Sequence, residues 1–188
     1  IVSKYFGKLI KNCGADNKID FYDHELTHAA AAYYFSPFDI NEESLVFTLD
    51  GWGDGVHSKL FRFKKYSWQE LSKSDAPIFT LGQKRYAGSL GTTYHKITRA
   101  LGYQSNEEGK VEALAAMGKP DKYTYTLLRT AISVNKNKLS FLINTKKLKR
   151  LYNFSAIDKR AKKVGKASVA AALQRWLEDT VVDYLNFA

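Results

Sequence analysis

The chain has 188 residues, 45% of them hydrophobic and 14% aromatic, and carries a formal net charge of +10. This composition provides a hydrophobic core and excludes a disordered tail, while a single cysteine, Cys13, excludes a disulfide framework. Because the sequence contains neither a signal-peptide pattern nor an apolar run of about 18 residues, we expect a cytoplasmic protein that does not enter a membrane.

Periodic apolar residues predict the first elements. A short helix is predicted at residues 1–9 and a brief strand at 19–22, which runs into a helix that ends at Pro37. The β-branched and apolar run 44–49 predicts a buried strand, and the alternating run 57–63 predicts its hairpin partner.

Helical signals dominate the rest of the chain. The predicted helices span 89–101, 107–117, 123–132, 148–152 and 166–185, with extended stretches near 78–81 and 139–143. We therefore expect an α/β (mixed α+β) fold in which residues 1–188 belong to one domain, with a strand-rich half at 19–82 and a helical region at 89–188.

The pentapeptide H-E-L-T-H at residues 24–28 satisfies two metal-site patterns at once. Residues four apart lie one turn apart on the same face of a helix, so His24 and His28 can hold one cation. Read as H-E-x-x-H, the motif indicates a zinc metallopeptidase with Glu25 as general base; read as H-x-x-x-H, it indicates a two-histidine metal site in which Glu25 has no assigned role. A peptidase of the thermolysin-like form also needs a third ligand, a glutamate that lies roughly twenty residues further on in a second helix. At that distance this chain has Thr48, which lies inside a predicted strand.

A glycine-rich loop, D-G-W-G-D-G at residues 50–55, follows the predicted strand. Glycine permits positive φ and leaves backbone N–H groups free to approach oxyanions. The candidate phosphate-binding residues are Gly51, Gly53, Asp54 and Gly55. Asp50, at the end of the strand, could hold a cation that bridges the phosphates. An ordinary tight hairpin turn uses the same residue types, so both interpretations remain open at this point.

Three further side chains bear on such a site. Trp52, within the glycine loop, could stack on a base or simply cover the turn. Lys110 follows Gly109 at the start of a predicted helix and could reach a phosphate, although most helix lysines are solvated. His95, on the helix predicted at 89–101, is interpreted as a structural or exposed residue.

Basic residues are concentrated late in the chain, at 136–149 and 159–166. Positive charge of this kind favours anionic partners such as phosphates and nucleotides. Nucleic acid is not an expected partner, because no binding motif with interleaved aromatic residues accompanies the basic ones.

Several blocks of sequence, taken together, resemble one enzyme family. They are residues 23–34, 36–38 and 49–55, then 89–91 with Tyr94, 101–102, 108–111 and 114–120. In this order, over residues 20–120, the chain resembles the O-carbamoyltransferase family of nodulation and antibiotic-tailoring enzymes (NodU/CmcH type). The resemblance fades beyond residue 120.

The resemblance implies an actin/Hsp70-type (ASKHA) fold. It matches His24 and His28 to the family's two metal-binding histidines and Asp50 to the carboxylate of its second phosphate loop. The implied cofactor is a divalent metal, and iron, manganese and zinc all suit two histidines and a carboxylate. The implied reaction forms carbamoyl adenylate from carbamoyl phosphate and ATP, and then transfers the carbamoyl group to a hydroxyl of a sugar or antibiotic-like acceptor.

Parts of the family's pattern are absent from the sequence. These are the upstream phosphate loop, the metal aspartate of a downstream D-x-G-x-x-x-G-A motif, and the YrdC-like domain that makes the adenylate. We therefore expect a fragment that does not turn over substrate alone, with a homodimer as one option for its assembly. A zinc metallopeptidase and a non-catalytic nucleotide-binding module remain as alternative hypotheses.

Overall fold

The structure is a computed structural model that describes residues 21–188. The helix predicted at residues 1–9 lies outside the described residues, as do the first two residues of the strand predicted at 19–22. In chain order the elements are α1 (His24–Tyr34), β1 (Ser44–Gly53), β2 (Val56–Lys64), β3 (Ser67–Asp75), β4 (Ile78–Leu81), β5 (Lys84–Ala87), α2 (Leu90–Ala100), α3 (Glu108–Ala115), α4 (Lys122–Ala131), β6 (Ile132–Asn135), β7 (Ser140–Ile143), α5 (Thr145–Leu151), α6 (Phe154–Val164) and α7 (Lys166–Leu185). Within the described residues, no helix is both long and apolar enough to cross a membrane.

Helix α1 carries the histidine pair and begins at a strong N-terminal cap. The Asp23 carboxylate accepts a hydrogen bond from the Leu26 amide at 2.8 Å, which satisfies one of the free N–H groups of the first turn. Four consecutive alanines follow in the helix, and alanine favours helix because it loses no side-chain entropy. Tyr33 on the buried face packs against Phe63, with ring centroids 4.8 Å apart, and this contact fixes α1 on the sheet.

Strands β1, β2 and β3 form an antiparallel sheet in that order. The β1–β2 ladder is regular up to Leu49 and resumes only at Gly53, so residues 50–52 form an irregularity in β1. Such an interruption bends a strand and redirects its side chains. Asp50 therefore lies at the point where β1 leaves the regular ladder.

The main hydrophobic core lies among the helices and is organised by α7. Trp176 and Tyr184 on this helix are fully buried. The Tyr184 ring packs against Phe141 of β7 at 4.8 Å and against Phe47 of β1 at 4.9 Å between centroids. Direct aromatic packing thus joins the helical core to the sheet that carries Asp50.

The predicted mixed α/β class is confirmed, with antiparallel strands flanked by helices. The sequence does not predict β3, because most of its side chains are exposed and polar and it lacks the apolar alternation of a half-buried strand. Pairing with β2 along its length determines its structure instead. The short polar strand β5 and the helix α6 are also not predicted from the sequence.

Candidate metal site and the adjoining cavity

The histidine pair lies on a solvent-accessible face of α1, where the helical spacing brings the two rings together. The Nε2 atoms of His24 and His28 are 3.2 Å apart, and the ring centroids are 4.7 Å apart in an edge-to-face arrangement. Asp50 of β1 joins them, with its Oδ2 atom 2.8 Å from His24 Nε2. The three ligand atoms all lie within 4.8 Å of one another. We refer to His24, His28 and Asp50 as the ligand cluster.

Two of the three separations within the ligand cluster suit a divalent cation. A cation about 2.0–2.2 Å from each imidazole nitrogen and carboxylate oxygen requires ligand atoms roughly 3 to 3.5 Å apart. The separations of 2.8 and 3.2 Å that meet at His24 Nε2 are close to this requirement. The side chains of His24 and Asp50 are 38% and 39% exposed and His28 is exposed, so a ligand from solution could also reach the cation.

The contact between His24 and Asp50 changes the pKa of both groups. The hydrogen bond with Asp50 raises the pKa of His24 above its usual value. Partial burial raises the pKa of Asp50, but hydrogen bonds with His24 and the Gly51 amide outweigh burial, so this pKa is lowered overall. Asp50 is therefore ionised at neutral pH, which is the form that a metal ligand requires.

Two glycines of the loop allow the ligand cluster to assemble. A Cβ atom on Gly53 would lie 2.2 Å from Cδ2 and 2.6 Å from Nε2 of His24, so only glycine leaves room for this imidazole. The Gly51 amide donates to the Asp50 carboxylate at 2.5 Å and fixes that side chain. Each glycine thus supports a candidate metal ligand, Gly51 by its hydrogen bond and Gly53 by the space it leaves, and the phosphate contacts predicted for both stay a prediction.

The start of α2 holds this part of β1 in place. The Gly51 carbonyl accepts hydrogen bonds from the hydroxyls of Ser89 and Thr92, the latter at 3.0 Å. Ser89 also caps α2 by accepting a hydrogen bond from the Thr92 amide at 3.0 Å. Gly91 permits this close approach, because a Cβ atom there would lie 2.8 Å from the Gly51 Cα. The N-terminus of α2 and the backbone next to Asp50 are therefore packed as one unit.

The rest of the glycine loop is a hairpin turn. Asp54 and Gly55 have positive φ angles of 50° and 87°, as the two central residues of a type I′ turn require. Gly53 and Val56 pair on either side of them. The turn accounts for both residue types, and phosphate binding by Asp54 and Gly55 stays a prediction.

Glu25 lies on the buried face of α1, together with Ala29 and Tyr33. It is only 1% exposed, and neither carboxylate oxygen has a hydrogen-bond partner among residues 21–188. The general base of a metallopeptidase must reach the water that the metal activates. The buried position of Glu25 is unfavourable for that role.

A cavity of about 590 Å³ borders Asp50 and Gly51. Its walls come from β1, β5, α2 and α3, and its lining includes Trp52, Arg85, Tyr86, His95, Lys96 and Glu108. A second cavity of about 350 Å³ shares Asp50, Gly51 and Glu108 with the first and reaches α7 at Gln174. Asp50 thus belongs both to the ligand cluster and to the lining of the two cavities.

Lys110 and His95 differ in their position relative to the two cavities. Lys110 lines neither cavity; its side chain is 65% exposed and its Nζ atom lies 2.6 Å from Glu107. His95, interpreted from the sequence as structural or exposed, lines the larger cavity, and its Nδ1 atom is 2.7 Å from Glu108 Oε1. In the tautomer that donates from Nδ1 to Glu108, the Nε2 atom of His95 is a proton acceptor.

Sequence patterns do not single out Arg85 and Lys96, which also line the larger cavity. Arg85 lies on β5, a strand that the sequence does not predict. Lys96 could have been recognised only by helical spacing, since Thr92, His95 and Lys96 share one face of α2 at positions i, i+3 and i+4. Identifying them requires the packing of β5 beside α2.

The chain matches one family model and two known proteins. The model of the family described as Carbamoyltransferase N-terminus matches residues 3–188. The uncharacterized protein MJ1058 of Methanocaldococcus jannaschii is 44% identical over 172 residues, which are 89% of this chain and 28% of that protein. The nodulation protein NolNO of Sinorhizobium fredii is 33% identical over 104 residues, which are 55% of this chain and 13% of that protein. The matched part is thus less than a third of either relative.

Proposed function

Because this chain belongs to the carbamoyltransferase N-terminal family, we propose that it serves the transfer of a carbamoyl group from carbamoyl adenylate to an acceptor hydroxyl. The adenylate would come from carbamoyl phosphate, water and ATP, with phosphate and pyrophosphate released, and the acceptor would be a sugar or antibiotic-like compound. The observation that carries the proposal is the convergence of His24, His28 and Asp50 beside a cavity of ligand size.

The proposed metal ligands are His24, His28 and Asp50, and the metal would be iron, manganese or zinc. When bound, such a cation supplies Lewis-acid polarisation of a carbonyl and neutralises phosphate charge. Residues of the chain hold the ligands in place: the Gly51 amide fixes Asp50, and Gly53 leaves room for His24. Ligands oriented in this way need little rearrangement when the cation and the substrate bind.

In the proposed reaction, the acceptor oxygen attacks the carbamoyl carbon. A new C–O bond forms, the bond between the carbamoyl carbon and the phosphate oxygen breaks, and AMP leaves with that electron pair. The proton of the acceptor hydroxyl must pass to a base. His95 is a side chain of the required type, because it lines the cavity and is held at Nδ1 by Glu108.

Two other functions are kept as alternatives. A zinc metallopeptidase would use the same histidine pair, but it would need the buried Glu25 as its base. A non-catalytic nucleotide-binding module would use the cavity and the ligand cluster without transferring a carbamoyl group. The transferase would give a carbamoylated acceptor, the peptidase a cleaved peptide and the binding module no product, so one set of assays separates them.

The decisive assay measures carbamoyl transfer by the full-length protein. Carbamoyl phosphate, ATP and a panel of hydroxyl acceptors are supplied, and carbamoylated product is detected by mass spectrometry. Product should form, and Asp50→Asn should abolish it. Asp75→Asn is a matched control, because it makes the same chemical change on a largely exposed side chain that lines neither of the two cavities.

Two outcomes would contradict the proposal. Cleavage of casein that Glu25→Gln abolishes would favour the peptidase. Nucleotide binding in calorimetry, with no carbamoyl transfer to any acceptor by the full-length protein, would favour the binding module.

A further inference from the structure

We propose that Arg85 and Lys96 form an anion-binding site for a phosphate-bearing ligand in the cavity that borders Asp50 and Gly51. The nature of the ligand rests on the proposed function, which supplies phosphate compounds as substrates. The two residues come from the structure alone, since no motif in the sequence singles them out.

Arg85 comes from β5 and Lys96 from α2, yet both line the same cavity of about 590 Å³. This volume lies within the range of small-molecule and cofactor sites, roughly 300–1,000 Å³. Asp50 lines the cavity too, so a phosphate ester held by the two cations would lie in the same cavity as a metal ligand.

Neither Arg85 nor Lys96 forms an ion pair with any carboxylate of residues 21–188. The two carboxylates in the cavity wall already have partners, since Asp50 contacts His24 at 2.8 Å and Glu108 contacts His95 at 2.7 Å. No carboxylate in the described part of the chain therefore engages the guanidinium group of Arg85 or the ammonium group of Lys96, and both remain available to an anion.

Lys96 is held at the cavity wall by aromatic packing. Its Nζ atom lies 4.5 Å from the centroid of the Tyr86 ring, a cation–π distance. Tyr86 in turn packs edge-to-face on Tyr152, with centroids 5.7 Å apart. Burial, together with the positive charges of Lys84 and Arg99, lowers the pKa of Lys96. A bound anion would offset the repulsion among these cations and stabilise the charged form of the lysine.

The chemistry of the two side chains favours phosphate. The guanidinium group of arginine matches two phosphate oxygens with parallel N–H donors, and lysine adds a compact positive charge. Trp52 lines the same cavity, is 56% exposed and offers an aromatic face to a base or a sugar. A nucleoside monophosphate combines both features, whereas inorganic phosphate uses only the two cations.

Calorimetry on the chain tests the inference with three probes: AMP, adenosine and inorganic phosphate. Lys96→Met and Arg85→Met should each raise the Kd for AMP by about tenfold, because each removes a charge-assisted hydrogen bond. Adenosine should bind equally to all variants, since it carries no phosphate. Lys96→Arg should retain most of the affinity for AMP.

Lys110→Met is the matched control. It removes the same charge from a lysine that pairs with Glu107 outside both cavities, so the Kd for AMP should not change. Thermal unfolding of each variant separates a loss of binding from a loss of fold. Weakened binding of AMP by a Lys96→Met chain that remains folded would support the site.

Three results would overturn the inference: no binding of AMP or of inorganic phosphate, equal affinity for AMP in Lys96→Met and the unchanged chain, or an equal loss in Lys110→Met. Equal weakening of AMP and inorganic phosphate by Lys96→Met would support the site and show that the phosphate alone is recognised. Failure of this inference is distinct from failure of the proposed function. If only the anion-binding site of Arg85 and Lys96 were wrong, the chain would still bind metal and Asp50→Asn would still abolish that binding.

Discussion

The ligand cluster and the helical core of this chain are stabilised in opposite ways. In the core, Trp176 and Tyr184 of α7 are fully buried among apolar side chains, so they contribute stability through the area that they remove from water. In the ligand cluster, His24 and Asp50 stay more than a third exposed and are held by close contact with glycine backbone. Because of this difference, we expect core substitutions to change the free energy of unfolding and substitutions around the ligand cluster to change the affinity for metal.

Trp176→Ala tests the core side of the comparison and should have the largest effect. Removing this fully buried ring leaves a cavity, and the free energy of unfolding should fall by about 3–5 kcal/mol. Urea unfolding measures the change, and chain that remains folded should bind metal with unaltered affinity. A loss below about 1 kcal/mol would mean that α7 does not organise the core.

Asp121 gives a smaller, pH-dependent effect in the helical part. Its carboxylate accepts hydrogen bonds from the Arg160 guanidinium and, at 2.9 Å, from the Thr124 amide at the start of α4. The Arg160 contact lowers the pKa of Asp121 to about 2. Since an unfolded aspartate has a pKa of about 3.9, this stabilisation is complete above that value and is lost as the pH falls towards about 2.

Asp121→Ala should therefore lower the free energy of unfolding by about 2 kcal/mol at neutral pH and by progressively less as the pH falls below about 4. Urea unfolding at several pH values checks this for both chains. A difference between the two chains that stays constant down to pH of about 2 would show that the ion pair is not the cause.

Gly53→Ala tests the other side of the comparison. The new Cβ atom would lie 2.2 Å from the His24 ring and displace it, so metal affinity should fall by about tenfold, as when a group that orients a ligand is lost. Calorimetric titration with zinc measures the change. Gly109→Ala is the control, because a Cβ atom there meets nothing within 4 Å and should leave metal affinity unchanged. Equal affinity in Gly53→Ala and Gly109→Ala would remove the proposed packing role of Gly53.

Glu25→Gln should have the smallest effect. The side chain is buried on a different face of α1 from the histidine pair, and the amide keeps its shape. Zinc titration should return the same Kd and stoichiometry as the unchanged chain. A large loss of affinity would show that the buried carboxylate supports the ligand cluster, and the division between core and cluster would then be less sharp.

The sequence was sufficient for the histidine pair because its geometry is local. Spacing of four residues on one helix brings His24 and His28 together whatever the rest of the chain does. Asp50 is 26 residues from His24, and their contact depends on the packing of α1 against β1, which no local pattern shows. Helical spacing identified the histidine pair, the strand that ends in a glycine loop offered Asp50 as a cation ligand, and only the family resemblance assigned all three residues to one site.

The basic residues of the cavity could not be predicted in the same way. Lys110 follows a glycine at the start of a helix and has the local features of a phosphate ligand, yet it lies outside the cavity. Arg85 and Lys96 have no such features and become neighbours only because β5 lies beside α2. Contacts between distant segments are what local propensity and periodicity do not encode.

The proposed function depends on the binding of one divalent cation by His24, His28 and Asp50. The most direct measurement is a calorimetric titration of the purified chain with zinc, manganese and ferrous iron, in parallel with Asp50→Asn and the control Asp75→Asn. We expect one equivalent of bound metal, affinity reduced at least about tenfold by Asp50→Asn, and no change in the control. Absence of binding by all three metals, or equal affinity in Asp50→Asn and the unchanged chain, would contradict it.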